Sequence, residues 1–517
     1  MTNKRIWLNI ALLLCVASIV TFAYLGSLPL LDPDEPVYAE TAREMLQYHD
    51  FISPRIYGDF WYDKPPMYYW LVAGAFKIFG VGEFAARFPS ALLATAGALL
   101  VYLSGRKLFG ERAGILSGLI LTTSLEYFYL GKAAVTDITL TFFLTAALLA
   151  FLQRKYYFFY GCAALAVVTK GPIGIIFCSV IPGLYILLSG NWALIKRMKV
   201  LSGTLLFAVI ALPWYILMYY YHGMDFIETF LGFHNITRFL QPEHSSGTLW
   251  YYYVPVIIFG FFPWIAFMVQ AVYAAGKDKS DNQRQLGFLV IWAATVFVFF
   301  TFSQTKLISY ILPMYPPLAL LVGWYIDKAW SENAFSILKW ATVIFTVVAC
   351  ILEAGLIYAG KTMTPNLYFP GIITAVVFAV ANILQWWLSY KRNFRLVFAI
   401  NIILMLFFST YLVTNLLPTI TPAFSMKLLV EDFNQYYDGK SQVYVTKSYR
   451  PGFMFYSGIP GKEKSDALRT KLLGVKEDAF FIVSTKEYNE LPADLQGKVI
   501  VLATHEGKVL LVHKSSS

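Results

Sequence analysis

Residues 6–35 read IWLNIALLLCVASIVTFAYLGSLPLLDPDE, an apolar run that ends abruptly in carboxylates. A helix needs about 20 such residues to cross a bilayer core, and the run from Ile6 to Leu30 is long enough. Lys4 and Arg5 precede it, it is long for a signal-peptide core, and no clean small-x-small cleavage site follows. It reads as a retained first span, which places Asp32, Asp34 and Glu35 at a membrane surface.

The rest of the chain fits that reading. Its 517 residues are 58% hydrophobic and 14% charged, where a soluble domain carries about 25% charge. So few charges exclude disordered, collagen-like and ordinary cytosolic classes. Further apolar segments lie near 83–103, 113–130, 135–152, 156–170, 171–189, 200–220, 250–274, 286–302, 308–326, 336–358, 368–389 and 396–417. With the first they predict about thirteen spans. The fold class expected is an all-α polytopic membrane protein.

The net charge of +10 could serve nucleic acid or a membrane. Its placement decides: Arg106, Lys107 and Arg112, then Arg154 and Lys155, then Lys196, Arg197 and Lys199, and so on through Arg395, fill alternate loops. That is the bias of cytoplasmic loops, and it puts the amino terminus in the cytoplasm too. No nucleic-acid partner is indicated. Cys15, Cys162, Cys178 and Cys350 sit in apolar runs and read as packing residues.

Three elements face the other side: residues 31–82, residues 221–249 and the tail after Pro418. The tail turns to soluble composition, with strand-like runs at 442–446, 479–484, 498–502 and 508–513. The division expected is a membrane domain over 1–420 and a small soluble α/β domain, periplasmic in a bacterium, over 421–517.

The first outer segment carries the most chemistry. Asp34 and Glu35 precede Pro36 and suit the first turn of a helix. Over Val37–Tyr48, Tyr38, Ala42, Met45 and Leu46 share one face, as in a helix lying in the interface. The two carboxylates either cap this helix or serve a site at the bundle mouth. In FWYDKPPMYYW, residues 60–70, two prolines stiffen the turn that holds Asp63 and Lys64 among aromatic rings. An aromatic belt accounts for the rings. A fixed ammonium at headgroup depth suits a phosphate.

Lys132 and Asp137 in GKAAVTDITL, Lys170 in VVTKGPIG, and Lys306 and Tyr310 in QTKLISYILP lie at outer span ends. A lone lysine there can snorkel. Three of them and Lys64, four in all, on the face away from the basic loops suggest a common cavity. In FHNITRFLQPEHSSG, His234, Arg238, Glu243 and His244 suit hydrogen bonding or phosphate contact better than a metal. No Walker loop, GxSxG, HExxH or dinucleotide fingerprint stands in a suitable context.

Taken in order, DPDEPVYAETAREML, WYDKP, AAVTDITL, VVTKGP, the HNxxRF-like piece and KLISYILPMYPPLAL resemble the GT-C membrane glycosyltransferases. The likeness is closest to the aminoarabinose transferases that modify lipid A, within the protein O-mannosyltransferase superfamily. The resemblance implies an inner-membrane enzyme that moves a sugar from an undecaprenyl-phosphate carrier to a lipid A-like glycolipid. It implies Asp34, with Glu35, as catalytic carboxylates. It places Lys64, Arg238, Lys170 and Tyr310 on the carrier phosphate, and Asp137, Asp63, His234 and Lys306 as positioning groups.

Two departures stand out. Val37 replaces an Arg of that family, and Asp63-Lys64-Pro65 replaces Glu-Lys-Pro. No cofactor is assigned with certainty. A divalent metal stays open, and a zinc site of some relatives is not carried over. Transfer to protein Ser or Thr, and transport or flipping of the lipid-linked sugar, remain as alternatives. A transporter predicts midplane charges and repeat symmetry, whereas a transferase predicts charges gathered at one interface.

Overall fold

The computed structural model describes residues 3–241, 249–362, 364–463 and 478–513. Glu243 and His244 lie outside the described residues, as do residues 464–477 between two of the strands. By internal contacts the chain divides into two compact units. One comprises 1–25, 62–68 and 87–412; the other comprises 26–61, 69–86 and 413–517.

The first unit is helical, because apolar segments in lipid must satisfy their backbone groups internally. Each expected span in it contains helix. Among the described residues eight helices are by length and composition fit to cross a membrane, or ten if each of two bent pairs is one crossing. The pairs are Glu111–Thr122 with Leu125–Gly131, bent by 64°, and Tyr253–Gly260 with Ile265–Lys277, bent by 109°. Pro263 lies in the second break, where its missing N–H and ring stop a helix. The remaining expected spans are the helices Asp137–Leu152, Tyr156–Lys170 and Tyr315–Ser331, of 16, 15 and 17 residues. The expected thirteen thus become eight to ten full-length candidates and three shorter helices.

Small residues set the closest approaches, as in membrane packing generally. A Cβ on Gly114 would stand 2.5 Å from the Arg106 nitrogen, and one on Gly323 would stand 2.2 Å from Ser117 Oγ. Neither position admits a side chain without displacing the neighbouring helix.

Two boundaries differ from expectation. The first helix is Asn3–Phe22 and stops short of Leu30. The second outer segment, expected as a loop from 221, is helical through Leu240. Val200–Ile227 is broken at Gly223 (φ 59°), a wide π-helical stretch covers Glu228–Thr237, and Arg238–Leu240 closes it.

In the second unit a five-stranded sheet runs Lys462–Glu463, Gln442–Val445, Ala479–Ser484, Lys508–His513, Val499–His505 in spatial order. The first three strands are parallel, and the last two pairings are antiparallel, with Ala479 opposite His513 and Ser484 opposite Lys508. Phe480 and Ile482 pack on one face with Phe433 and Phe453; Phe481 and Val483 pack on the other with Leu491 and Leu495. Burial on both faces explains why Ala479–Val483 reads as an unbroken apolar run. The two-residue strand Lys462–Glu463 is too short to leave a sequence pattern.

The helix expected over 37–48 is Asp34–Gln47. Its charged residues do not all face outward. Glu40 and Glu44 are fully buried within the second unit. Arg43 pairs with Glu40 at 2.7 Å and donates to the carbonyls of Phe455 and Met454, while Glu44 accepts the Gly58 N–H. Paired and hydrogen-bonded charges can be buried on a face that composition assigns to solvent.

Candidate active site

The centre of the first unit's charged cluster is one carboxylate oxygen. Asp63 Oδ1 lies 2.8 Å from Lys64 Nζ, 2.8 Å from His234 Nδ1 and 3.4 Å from an Arg238 guanidinium nitrogen. Pro65 and Pro66 hold the Asp63–Lys64 segment rigid. The π-helical stretch presents His234 at its end and Arg238 four residues on. Tyr62 lies against His222, ring to ring at 5.3 Å. Burial alone would raise the Asp63 pKa, yet Lys64 first, then His234 and Arg238, hold it well below the usual carboxylate range. Burial lowers the Lys64 pKa; Asp63 opposes this, and Lys170 adds to it through like-charge repulsion.

A second pair adjoins in charge. Lys170 Nζ lies 2.7 Å from Asp137 Oδ1 and 4.6 Å from the centroid of the Tyr310 ring. Asp137 opens the helix Asp137–Leu152 and Lys170 closes Tyr156–Lys170. Each charge therefore sits at the helix end whose dipole favours it. Gly171 (φ 69°) makes the following turn, and a Cβ there would meet the Phe230 ring at 2.8 Å. Lys64, Lys170 and Arg238 outnumber Asp63 and Asp137. The cluster carries one surplus positive charge before His234 is counted, an arrangement fit to hold a phosphate.

The four lysines expected together divide. Lys64 and Lys170 belong to this cluster. Lys132 donates to the Thr21 and Ala23 carbonyls, capping the helix Asn3–Phe22. Lys306 is buried and donates to the Ser303 carbonyl at 2.6 Å. A lysine near a helix C-terminus finds open carbonyls, and both of these make such contacts.

Sequence reasoning missed Glu126. It is buried and accepts the Tyr315 hydroxyl at 2.5 Å beneath Gly260. The available signal was a carboxylate inside an apolar run.

In the second unit Asp34 and Glu35 have different surroundings. Glu35 is buried and its Oε2 accepts the Leu31 N–H at 2.8 Å, fixing the turn that precedes the helix. Asp34, in the same first turn, is exposed. Before them, the Asp32 carboxylate faces Gly452, and burial raises its pKa well above the usual range against the pull of Lys508. Lys508 donates to the carbonyls of Pro422, Ala423 and Ser425.

Among the described residues no three His, Cys, Asp or Glu side chains are gathered to hold a metal ion. Asp63 and His234 are two suitable donors, but Lys64 and Arg238 already neutralise that carboxylate. This donor set does not by itself make a divalent site.

Comparison with known proteins supplies the family. Over 393 residues the chain is 30% identical to an undecaprenyl phosphate-alpha-4-amino-4-deoxy-L-arabinose arabinosyl transferase of Pectobacterium atrosepticum, covering 71% of this chain and 69% of that one. The chain belongs to the aminoarabinose arabinosyl transferase family. It is a multi-pass membrane glycosyltransferase. The model of the dolichyl-phosphate-mannose-protein mannosyltransferase family matches residues 63–217, which hold Asp63, Lys64, Asp137 and Lys170. The fold is that of ArnT from Cupriavidus metallidurans, solved bound to undecaprenyl phosphate. It matches with TM-score 0.81 and 22% identity over 98% of each chain. An Archaeoglobus fulgidus oligosaccharyltransferase shares the fold more distantly, with TM-score 0.55 and 12% identity over 93% of this chain and 69% of that one.

Proposed function

We propose that this arabinosyl transferase relative moves a sugar from an undecaprenyl-phosphate carrier to lipid A or a related envelope glycolipid. The reaction lies at the outer face of the bacterial inner membrane, with the amino terminus cytoplasmic and a soluble domain over 421–517 periplasmic. The observation that carries this reading is the surplus of cationic groups, Lys64, Lys170 and Arg238, over the carboxylates Asp63 and Asp137.

In the proposed step the acceptor oxygen attacks the anomeric carbon, the bond from that carbon to the carrier phosphate oxygen breaks, and its electron pair leaves with the phosphate. Glycosyl transfer passes through an oxocarbenium-like state. A phosphate needs no strong general acid to depart. It needs fixed positive charge where negative charge develops, which Lys64, Lys170 and Arg238 supply. Tyr310 backs Lys170, and Asp63, His234 and Asp137 orient the cations. Asp34 accepts the proton of an acceptor hydroxyl, or orients an acceptor that is already an anionic phosphate. Glu35 holds the turn that carries Asp34, and Lys306 stays a backbone anchor. With Val37 where family members carry Arg, one cation fewer meets donor or acceptor.

The experiment is mass spectrometry of envelope lipids and proteins from cells with and without the gene, repeated with Asp34→Asn and Lys64→Ala. A sugar gained by a lipid supports the reading. Asp34→Asn should lower transfer by about 10² or more, the range of general-base catalysis, while still inserting. Wild-type transfer by Asp34→Asn removes its catalytic role. A second reading, transfer to protein Ser or Thr, rests on the mannosyltransferase model over 63–217. It predicts the sugar on protein instead.

A further inference from the structure

The charged cluster already described leaves unexplained an open hollow of about 260 Å³ in the first unit, lined by Arg154, Lys155, Tyr156, Tyr157, Phe158 and Lys199. It is made by the turn before the helix Tyr156–Lys170 and the turn before Val200–Ile227. Lys199 Nζ stands 4.9 Å from the Tyr157 ring centroid, and the Tyr157 hydroxyl is hydrogen-bonded to Ser202 Oγ at 3.2 Å. Arg154 (φ 60°) and Lys199 (φ 51°) both hold the left-handed backbone conformation that non-glycine residues avoid.

No Asp or Glu occurs between Asp137 and Asp225, so no nearby carboxylate in sequence can neutralise these cations. Among the described residues none of Arg154, Lys155 and Lys199 is in a salt bridge, and all three are exposed. The adjoining apolar surface is exposed too, with Leu201 at 89% and Phe158 at 57%. The orientation rule asks only for charge in such loops. It does not ask for a hollow walled by aromatic rings beside a bare apolar helix face. An anion with an attached hydrocarbon chain matches both halves of the surface. Basic pockets between membrane helices hold lipid headgroups in this way.

We propose that this hollow binds the phosphate of an anionic glycerophospholipid in the leaflet next to the basic loops, with an acyl chain along Leu201 and Phe158. The hollow borders the start of the helix Tyr156–Lys170 and Lys170 lies at its end, so the site is separate from the charged cluster.

The test is native mass spectrometry of the full chain in detergent, titrated with palmitoyl-oleoyl phosphatidylglycerol, with phosphatidylcholine, and with the glycerolipid in the presence of millimolar inorganic phosphate. The variant Arg154→Gln/Lys155→Gln/Lys199→Gln is compared with Lys391→Gln/Arg392→Gln/Arg395→Gln, which loses the same charge in another basic loop. Each cation removed from the hollow should weaken phosphatidylglycerol binding by about fivefold, and the control triple should change it less than twofold. Equal weakening by both triples reduces the effect to net charge and overturns the site. Equal binding of phosphatidylcholine overturns it as well. Displacement by inorganic phosphate alone assigns the hollow to a free anion and overturns the lipid. A failure of transferase activity with lipid binding intact bears on the proposed reaction and leaves this site standing.

Discussion

His234 Nδ1 stands 2.8 Å from Asp63 Oδ1, on the oxygen that Lys64 Nζ also reaches at 2.8 Å. One carboxylate therefore anchors groups from two distant parts of the chain. It keeps the ammonium and the imidazole at fixed positions in a setting where charge is costly unless paired.

Asp63→Asn should lower stability more than it lowers any single contact's worth, because it leaves several cations facing one another. Removing one partner of a buried pair costs about 3–5 kcal/mol, and partial exposure of Arg238 brings the expected loss toward the lower end. Thermal unfolding in detergent measures it. Asp63→Glu should recover most of the loss. An Asn variant as stable as the wild type would mean that the cations relax into solvent.

The Asp137–Lys170 pair is expected to be coupled. A double-mutant cycle of Asp137→Asn and Lys170→Met should give an interaction of about 1–3 kcal/mol in thermal or denaturant unfolding. In a transfer assay Lys170→Met should raise the KM for the lipid-phosphate donor, whereas additive stability losses with unchanged donor KM would separate Lys170 from the phosphate.

Gly452 decides how closely Asp32 can approach. A Cβ at 452 would lie 2.1 Å from Asp32 Oδ1. Gly452→Ala should cost about 1–3 kcal/mol, the usual range for overpacking, and adding Asp32→Ala should return much of it. Unfolding of the single and double variants checks this. A double variant no better than Gly452→Ala alone would place the strain elsewhere.

Glu40 gives a pH dependence. Burial pushes its pKa up from 4.5 to about 7, against the pull of Arg43. Between those values the folded chain keeps a proton that the unfolded chain has lost. Stability from this group is therefore greatest below about pH 4.5, falls as pH rises through the window, and levels off above about 7. Glu44 and Asp32 are also raised by burial and act in the same sense. The melting temperature of Glu40→Gln should change less between pH 5 and 7.5 than that of the wild type, and an unchanged slope would exclude Glu40 as its source.

Much of the fold was legible because lipid imposes a simple rule on sequence. An apolar segment of sufficient length must be helical, and the run from Ile6 gave its helix directly. Boundaries were less legible. The helix Asn3–Phe22 ends where Lys132 caps it, and nothing near residue 22 announces a lysine more than a hundred positions away. The helix Asp34–Gln47 was legible as a helix but not in its surroundings, since the buried ion pair of Glu40 with Arg43 looks on paper like a solvated face.

The site followed the same division. Pro65 and Pro66 marked Lys64 as stiffly held, and Asp137 stood out as a carboxylate at the head of an apolar run. Lys132, Lys170 and Lys306, however, are equivalent as sequence: each is a lysine at the edge of a span. The amino-acid order settled the membrane class, the helical segments and the kinds of charged group available, because hydrophobicity and helix propensity act over a few turns. Tertiary structure alone decided which lysines meet carboxylates and which meet backbone carbonyls. Pairing at 3 Å depends on which distant helix ends pack together, and no local pattern encodes that.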